Sequence, residues 1–324
     1  MPDADSSVRR RSVLAGAAAA MGGLAGCARV LGHAGDGAGG AESGDATVGG
    51  TGDGGSATVS MLAAGSLNNA LEHGLKPAVD ANLEVEAHGS ARVARLVAEG
   101  QKDPDLVSVA DVALFDSPLR PEWYAEFATN SLVVAYNADT EGGRRVADAG
   151  ADGWYRPLLS EEVSLGRTDP DLDPLGYRTL FALELATDHY GTEADLRAAI
   201  PERRQIYPET QLVSQFETGA IDAAFTYRNM AVERGYDYVE LPPEIDLSDP
   251  DRTEAYAAAD YELPSGKVVE GGLISYGSTL RRPSPAARAV FDAHVAGDYL
   301  ADFGFVIPDE YPRYTGDVPD AVAD

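Results

Sequence analysis

The stretch ATVSMLAAGS at residues 57–66 opens the folded part of the chain with an apolar strand that runs into a glycine and a serine. A helical pattern follows, because apolar side chains recur every three or four positions over residues 67–81. A strand at residues 83–87, a helix at residues 91–99 and a strand at residues 106–109 continue the alternation. This β-α-β-α-β order predicts an open, mostly parallel α/β sheet.

Two serines occupy equivalent positions in this pattern. Ser66 lies at the first strand-to-helix junction and Ser90 at the second. In open α/β sheets, ligands bind beyond the carboxyl ends of the strands, where helices begin. The hydroxyls of Ser66 and Ser90 and the neighbouring backbone N–H groups are therefore candidates for converging on one ligand. The alternative is that both serines only cap their helices, which is a common role for serine.

The rest of the chain predicts a second sheet and two passages between two lobes. The apolar segment SLVVAY at residues 131–136 leaves the first lobe, and a β segment at residues 268–275 leads back to it. We assign residues 57–130 and 276–324 to the first lobe and residues 131–275 to the second. The predicted fold class is α/β and bilobal, with two open α/β sheets joined by a two-crossing hinge and a cleft between the halves.

The stretch GRTDPDLDPLGYR at residues 166–178 leads into an apolar run that predicts a helix over residues 175–190. Aspartate is preferred just before a helix and proline is tolerated at its first position, so Asp173 is the predicted N-cap of a helix that starts at Pro174. A helix N-terminus offers unpaired N–H groups and a partial positive charge, which suit an anion. Asp173 is therefore either a helix cap alone or a cap that also contacts a ligand.

The composition excludes several classes of partner. The 324 residues carry 53 acidic and 25 basic side chains, a formal net charge of −28. This charge is spread along the chain, as in salt-adapted proteins, and it argues against nucleic acid or an anionic lipid surface as a partner. The single cysteine excludes an intramolecular disulfide. The five histidines are scattered without metal-ligand spacing, so we expect neither a metal site nor a cofactor.

The first 56 residues carry targeting signals instead of a fold pattern. Arginines at residues 9–11 precede a short alanine-rich run, which indicates a secretory leader and resembles the twin-arginine signal for export of folded proteins. The segment LAGC at residues 24–27 resembles a lipoprotein box, in which Cys27 becomes the lipidated N-terminus. We therefore interpret residues 1–27 as a twin-arginine lipoprotein signal. Residues 28–56, rich in glycine, alanine and aspartate, predict a flexible tether to the extracellular face of the membrane.

Several segments resemble the archaeal molybdate/tungstate-binding proteins, the substrate-binding components of an ABC importer. They are AGSL at residues 64–67, EFATNSLVVAY at residues 126–136, GRTDPDLDPLGYR at residues 166–178, AAFTYR at residues 223–228 and GDVP at residues 316–319. The resemblance covers nearly all of residues 57–324. It implies a fold of the periplasmic-binding-protein type with an oxyanion at the hinge cleft. It also implies that Ser66, Ser90 and the carboxylate of Asp173 contact this ligand.

Tyr227 matches a tyrosine that contacts the ligand in the bacterial molybdate binders that this family resembles; the alternative is a tyrosine packed in the core. The archaeal members add two carboxylates to the metal centre of the anion, and the second lies in a Phe-Glu-Tyr-Lys pattern. This chain has Phe225-Thr226-Tyr227-Arg228, so Thr226 stands in place of the glutamate. Thr226 would hydrogen-bond the anion, and Arg178 or Arg228 would supply positive charge.

This departure bears on which anion is bound. A carboxylate facing a dianion is repulsive unless a proton is shared or the carboxylate gives its oxygen to a hard metal centre. Molybdenum and tungsten accept additional oxygens, whereas the sulfur of sulfate does not. Retaining Asp173 therefore favours molybdate or tungstate, while losing the glutamate makes a tetrahedral anion easier to accommodate.

We therefore expect a monomeric binding protein, not an enzyme, that captures molybdate or tungstate and delivers it to an ABC permease in the membrane. The alternative in the same class is a binding protein for sulfate or phosphate. An alternative of another class is a surface-anchored hydrolase, but the sequence contains no G-x-S-x-G, no H-E-x-x-H and no local catalytic triad.

Overall fold

The structure is a computed structural model that describes residues 56–160, 162–202, 205–319 and 322. The predicted signal at residues 1–27, including Cys27, lies outside the described residues. So does the predicted tether at residues 28–56, except for its last residue. Among the residues that are described, no helix has the length and hydrophobicity of a membrane span.

The strands in these ranges are β1 (Thr58–Ala64), β2 (Asn82–His88), β3 (Leu106–Val109), β4 (Trp123–Asn130), β5 (Leu132–Tyr136), β6 (Leu165–Gly166), β7 (Ala223–Tyr227), β8 (Asp237–Glu240), β9 (Asp260–Glu262), β10 (Val268–Glu270), β11 (Ile274–Leu280) and β12 (Arg313–Gly316). The helices are α1 (residues 65–78), α2 (Ser90–Ala98), α3 (Glu141–Ala149), α4 (Tyr155–Leu158), α5 (Pro174–Tyr190), α6 (Leu196–Ala199), α7 (Glu209–Glu217), α8 (Arg228–Arg234), α9 (Thr253–Tyr256) and α10 (Pro285–Ala296). Shorter helical turns lie at Phe115–Leu119, Pro250–Arg252 and Asp298–Phe303.

The first sheet has six strands in the order β12-β4-β11-β3-β1-β2. Strand β1 runs parallel to both β2 and β3, as the β-α-β-α-β pattern requires. The register pairs Ala64 with His88, so β1 and β2 end side by side. Helices α1 and α2 therefore begin at the same edge of the sheet. They are held there by apolar side chains that are fully buried, such as Leu67, Leu71 and Val93.

The second sheet has four strands in the order β6-β7-β5-β8. Strand β5 is antiparallel to β7 and β8, and β6 is parallel to β7. Helix α5 packs on β7 and buries Leu175, Phe181 and Leu183, because its apolar side chains recur at helical spacing. This packing fixes the start of α5 beside the end of β7.

The chain passes twice between the two sheets. Strand β4 ends at Asn130 in the first sheet, and β5 begins at Leu132 in the second; the return leads from β8 to Ile274, the first residue of β11. The loop after β8 lies against both passages, since the carbonyl of Asp246 accepts the Leu132 N–H and the carbonyl of Leu247 accepts the Ile274 N–H. The predicted α/β class, with two open sheets joined by two crossings, is confirmed. The residue boundaries of the lobes stay a prediction.

Three details differ from the sequence-based expectation. The first sheet is mixed, not mostly parallel, because β11 and β12 join it in antiparallel pairings. The predicted return segment at residues 268–275 is divided, since β10 forms a hairpin with β9 and only β11 enters the first sheet. Strand β12 was not predicted. As an edge strand it pairs on one side only, so it needs little apolar alternation.

Candidate functional site

A cavity of about 630 Å³ is lined by residues of both lobes. It lies at the starts of α1 and α2 on one side and of α5 and α8 on the other. Ser66, Ser90, Asp173 and Tyr227 line it, whereas Thr226 does not. The structure thus brings four of the five predicted side chains to one place.

The two serine hydroxyls in this cavity each accept a hydrogen bond from the protein. The Tyr276 hydroxyl donates to Ser66 Oγ at 3.1 Å, and the Ala110 N–H donates to Ser90 Oγ at 2.9 Å. A serine hydroxyl that accepts in this way keeps its own proton to donate. Both serines are therefore arranged as donors toward the cavity, which suits a ligand that presents only acceptors.

Helix α2 adds backbone donors to the same wall. The N–H groups of Arg92 and Val93 bond to the carbonyl of Gly89 at 2.8 and 3.0 Å. The N–H groups of Ser90 and Ala91, the first two of the helix, have no partner among the described residues. They lie at the positive end of the helix dipole, where an anion is stabilised.

Asp173 caps α5 and also faces the cavity. Its Oδ1 accepts the Leu175 N–H at 2.8 Å, and the residue is half-buried. Burial raises the pKa of the Asp173 carboxyl, although the Leu175 hydrogen bond and the positive charge of Arg178 act in the opposite direction. Capping and ligand contact, posed above as alternatives, are therefore compatible for this side chain.

The N-terminus of α5 is largely satisfied within the chain. Pro174 has no N–H, and the N–H groups of Leu175 and Gly176 bond to the side chain and carbonyl of Asp173. The sequence-based expectation that this helix start offers free backbone donors to an anion is therefore wrong in detail; its contribution to the cavity comes from side chains. Gly176 is required here, because a Cβ would lie 2.5 Å from Pro170 N.

Arg178 supplies positive charge to the cavity. Its Nη1 donates to the Tyr227 hydroxyl at 2.7 Å, and its guanidinium carbon lies 5.7 Å from the Tyr227 ring centroid. Burial opposes the charged form, but neighbouring Tyr227, Tyr177 and Asp111 keep the pKa of Arg178 above its ordinary value. Within the described ranges, no carboxylate lies within 4.0 Å of this guanidinium. Arg228, the other candidate, forms an ion pair with Glu240 at 3.3 Å and does not line the cavity.

Thr226 is turned away from the cavity. Its Oγ1 donates to Met230 Sδ at 3.1 Å, and only 4% of the residue is exposed. It lines a separate apolar pocket of about 20 Å³ together with Leu212 and Phe216. Successive residues of a strand point to opposite faces, so Thr226 and the adjacent Tyr227 cannot face the same ligand from β7.

Other residues of the site were not predicted. Asn130, Asn229 and Tyr276 form a buried polar group beside Ser66. Asp111 follows β3 at the same sheet edge as the two serines, so the junction rule that found Ser66 and Ser90 would also have found Asp111. Acidic and basic side chains are balanced on the cavity wall: these are Asp111, Asp173, Glu233, Arg92, Arg178 and Arg234. In the part of the chain that the structure describes, no cluster of three or more His, Cys, Asp or Glu residues could hold a metal ion.

A sequence profile of the family described as bacterial extracellular solute-binding proteins matches residues 59–278. The chain belongs to this solute-binding protein family. This solute-binding protein is 58% identical over 264 residues to a Haloferax volcanii protein for which an ABC-transporter molybdenum-binding role is proposed, covering 81% of this chain and 86% of the relative. It is 30% identical over 226 residues to the molybdate/tungstate-binding protein WtpA of Pyrococcus abyssi, covering 62% of this chain and 65% of the relative.

The fold of this solute-binding protein matches that of a solved structure. It aligns with the substrate-binding domain of a proposed molybdenum ABC transporter from Clostridium difficile with a TM-score of 0.52 and 15% identity, over 78% of this chain and 100% of that domain. At this identity the alignment shows the fold alone, which agrees with the bilobal arrangement of two sheets. The predicted relationship to the molybdate/tungstate-binding proteins is confirmed by the sequence comparisons.

Proposed function

We propose that this protein captures molybdate or tungstate in the cavity between its lobes and delivers it to an ABC permease. The observation that carries the proposal is the pair of serine hydroxyls, at Ser66 and Ser90, which each accept one hydrogen bond from the protein and keep their own proton for a ligand. Arg178 adds a positive charge without a carboxylate partner among the described residues. A ligand that only accepts hydrogen bonds and carries negative charge fits these three groups.

Asp173 bears on which oxyanion is preferred. A carboxylate in a partly dry cavity repels a dianion by several kcal/mol at close range, about 4 kcal/mol for two unit charges 4 Å apart at an effective dielectric constant of 20. The repulsion is offset if the carboxylate oxygen bonds to the molybdenum or tungsten centre. Sulfate and phosphate have no centre that accepts a further oxygen, so the ionised form of Asp173 favours the two metal oxyanions.

Sulfate or phosphate is the second candidate ligand, and two observations favour it. Thr226, in the position of the family's second carboxylate, faces away from the cavity, so Asp173 lacks that partner. The raised pKa of Asp173 makes its protonated form more accessible, and a protonated carboxyl donates to a tetrahedral anion instead of repelling it. A surface hydrolase receives no support from the family assignment.

The proposal extends to the location of the protein. The twin arginines and the LAGC segment before the tether support export in the folded state and lipidation of Cys27. The protein would then be a monomer held at the extracellular face of the cell membrane, beside its permease. The acidic charge of −28 does not suit nucleic acid as a partner.

Calorimetric titration with molybdate, tungstate, sulfate and phosphate at high salt tests the proposal. We expect tight binding of molybdate or tungstate by the wild type and at least tenfold weaker binding by Ser90→Ala. The matched control is Ser284→Ala. Ser284 is also a serine at the start of a helix whose Oγ accepts a backbone N–H, that of Ala287 in α10, but it does not line the cavity. Tight binding of sulfate without binding of molybdate would refute the first choice of ligand, and turnover of esters or phosphoesters that depends on Ser66 would refute the binding role.

A further inference from the structure

A buried ring of hydrogen bonds surrounds Ser66. The Tyr276 hydroxyl donates to Ser66 Oγ at 3.1 Å, and Asn229 Nδ2 donates to the Ser66 carbonyl oxygen at 3.1 Å. Asn130 Nδ2 donates to the Tyr276 hydroxyl at 3.3 Å and to Asn229 Oδ1 at 2.7 Å, which closes the ring. Both bonds to Ser66 therefore trace back to the amide of a single residue, Asn130.

The members of the ring come from four different parts of the fold. Asn130 is the last residue of β4, where the chain leaves the first sheet, and Tyr276 lies in β11, where it returns. Asn229 belongs to α8 in the second lobe, and Ser66 to α1 in the first. Asn130, Tyr276 and Asn229 are 0%, 2% and 5% exposed. Buried polar groups that satisfy one another in a connected network rigidify the site they form.

We propose that Asn130 and Tyr276 are positioning residues that direct the Ser66 hydroxyl proton toward the bound anion and couple this contact to the two passages between the lobes. The inference rests on the proposed function. An amide nitrogen can only donate, so Asn130 Nδ2 fills an acceptor position of the Tyr276 hydroxyl and directs the tyrosine proton to Ser66. Ser66 then has its own proton left for the cavity.

The same ring links the anion to the arrangement of the lobes. Asn229 is the second-lobe member, and it bonds to both Ser66 and Asn130 of the first lobe. A rotation of α8 away from α1 breaks both of these bonds. An anion that accepts from Ser66 strengthens the chain of hydrogen bonds and thereby favours the arrangement in which Asn229 stays in place.

The test is a double-mutant cycle on molybdate affinity, measured by calorimetry. Tyr276→Phe removes only the hydroxyl and keeps the ring packed against Phe127 and Phe305. We expect it to weaken molybdate binding about three- to tenfold, the effect of one neutral hydrogen bond. In a Ser66→Ala background the same change should have no further effect, because Tyr276 acts through the Ser66 hydroxyl.

A second variant tests the positioning role, and a third serves as its control. Asn130→Asp replaces the donor by an acceptor and should reproduce the loss seen with Tyr276→Phe. Tyr299→Phe removes a tyrosine hydroxyl bonded to His294 Nδ1, away from the cavity, and should leave affinity unchanged. Additive losses with Ser66→Ala, or unchanged affinity in both Tyr276→Phe and Asn130→Asp, would overturn the positioning role while leaving the anion-binding proposal intact. A wild type that binds none of the four anions would overturn both.

Discussion

Replacing Asp173 by asparagine separates its two roles, because asparagine keeps the helix cap and removes the charge. Asn and Asp are about equally good at the N-cap, so the amide oxygen should still accept the Leu175 N–H that Oδ1 now accepts at 2.8 Å. Asp173→Ala removes this hydrogen bond and should cost about 1 kcal/mol. For a folded region of this size that corresponds to a decrease in Tm of about 2–4 °C.

The effect on binding should have opposite signs for the two classes of anion. An amide oxygen is a neutral and weaker ligand than a carboxylate for a molybdenum centre, so Asp173→Asn should weaken molybdate binding at least tenfold. For sulfate, the variant removes a repulsion worth up to about 4 kcal/mol at close range, so binding should become tenfold tighter or more. Asp173→Ala should show the same change in selectivity as Asp173→Asn, with the additional loss of stability.

Calorimetry with molybdate and sulfate, together with thermal unfolding of the three proteins, provides the readout. The unfolding curves act as the control, since they report the cap and not the ligand contact. A ratio of molybdate to sulfate affinity that is unchanged in Asp173→Asn would refute a ligand contact by Asp173. In that case Asp173 would serve as a helix cap only, and selectivity would have to come from the serines and Arg178.

Three further predictions follow from other parts of the structure. Thr226→Ala should leave molybdate affinity within about twofold, because Thr226 does not line the cavity and its hydroxyl donates to Met230; a larger loss on titration would contradict the placement of its side chain. Arg178→Gln should weaken binding of all four anions at least tenfold by calorimetry, since a hydrogen bond to a charged group contributes about 1.5–3 kcal/mol. A variant that binds as well as the wild type would show that the charge of Arg178 does not contribute to binding. Burial raises the pKa of Asp246 to about 6, so the stability that its protonated form contributes is present below pH 4 and is lost as the pH rises toward 6. The free energy of unfolding of the wild type, relative to Asp246→Asn, should therefore fall by about 3 kcal/mol over this range in chemical denaturation at constant salt, and a pH-independent difference would exclude the shift.

Local patterns in the sequence were sufficient for the elements that build the cavity. Helix α5 was expected over residues 175–190 and is observed at Pro174–Tyr190, because its cap, its first proline and its apolar period all lie within a short segment. The positions of Ser66 and Ser90 could also be predicted, because in parallel β-α-β units the strand-to-helix junctions lie at one edge of the sheet.

The features that the sequence did not reveal depend on non-local pairing. The segment AAFTY of β7 is largely buried on both faces and carries one hydroxyl on each, so its alternation cannot show that Tyr227 points to the cavity and Thr226 away from it. Asn130 and Tyr276 are 146 positions apart, and Tyr276 and Ser66 are 210 apart, so their contacts are visible only once both passages between the lobes are formed. The edge strand β12 was missed because backbone pairing, which any sequence can provide, holds it to β4.

Asp173 caps α5 and Arg178 lies near the start of the same helix, and the positive charge of Arg178 acts on the Asp173 carboxyl, yet each side chain bonds to a different group. Asp173 accepts from the Leu175 N–H, and Arg178 donates to the Tyr227 hydroxyl. If the two formed an ion pair, their charges would cancel and neither would be left to act on a ligand in the cavity. Keeping opposite charges apart in a partly buried site costs desolvation energy, and a ligand that satisfies both charges offsets this cost. Molybdate and tungstate satisfy both charges, because their negative oxygens can accept from Arg178 and their metal centre can accept the Asp173 carboxylate. Sulfate satisfies Arg178 alone unless Asp173 is protonated.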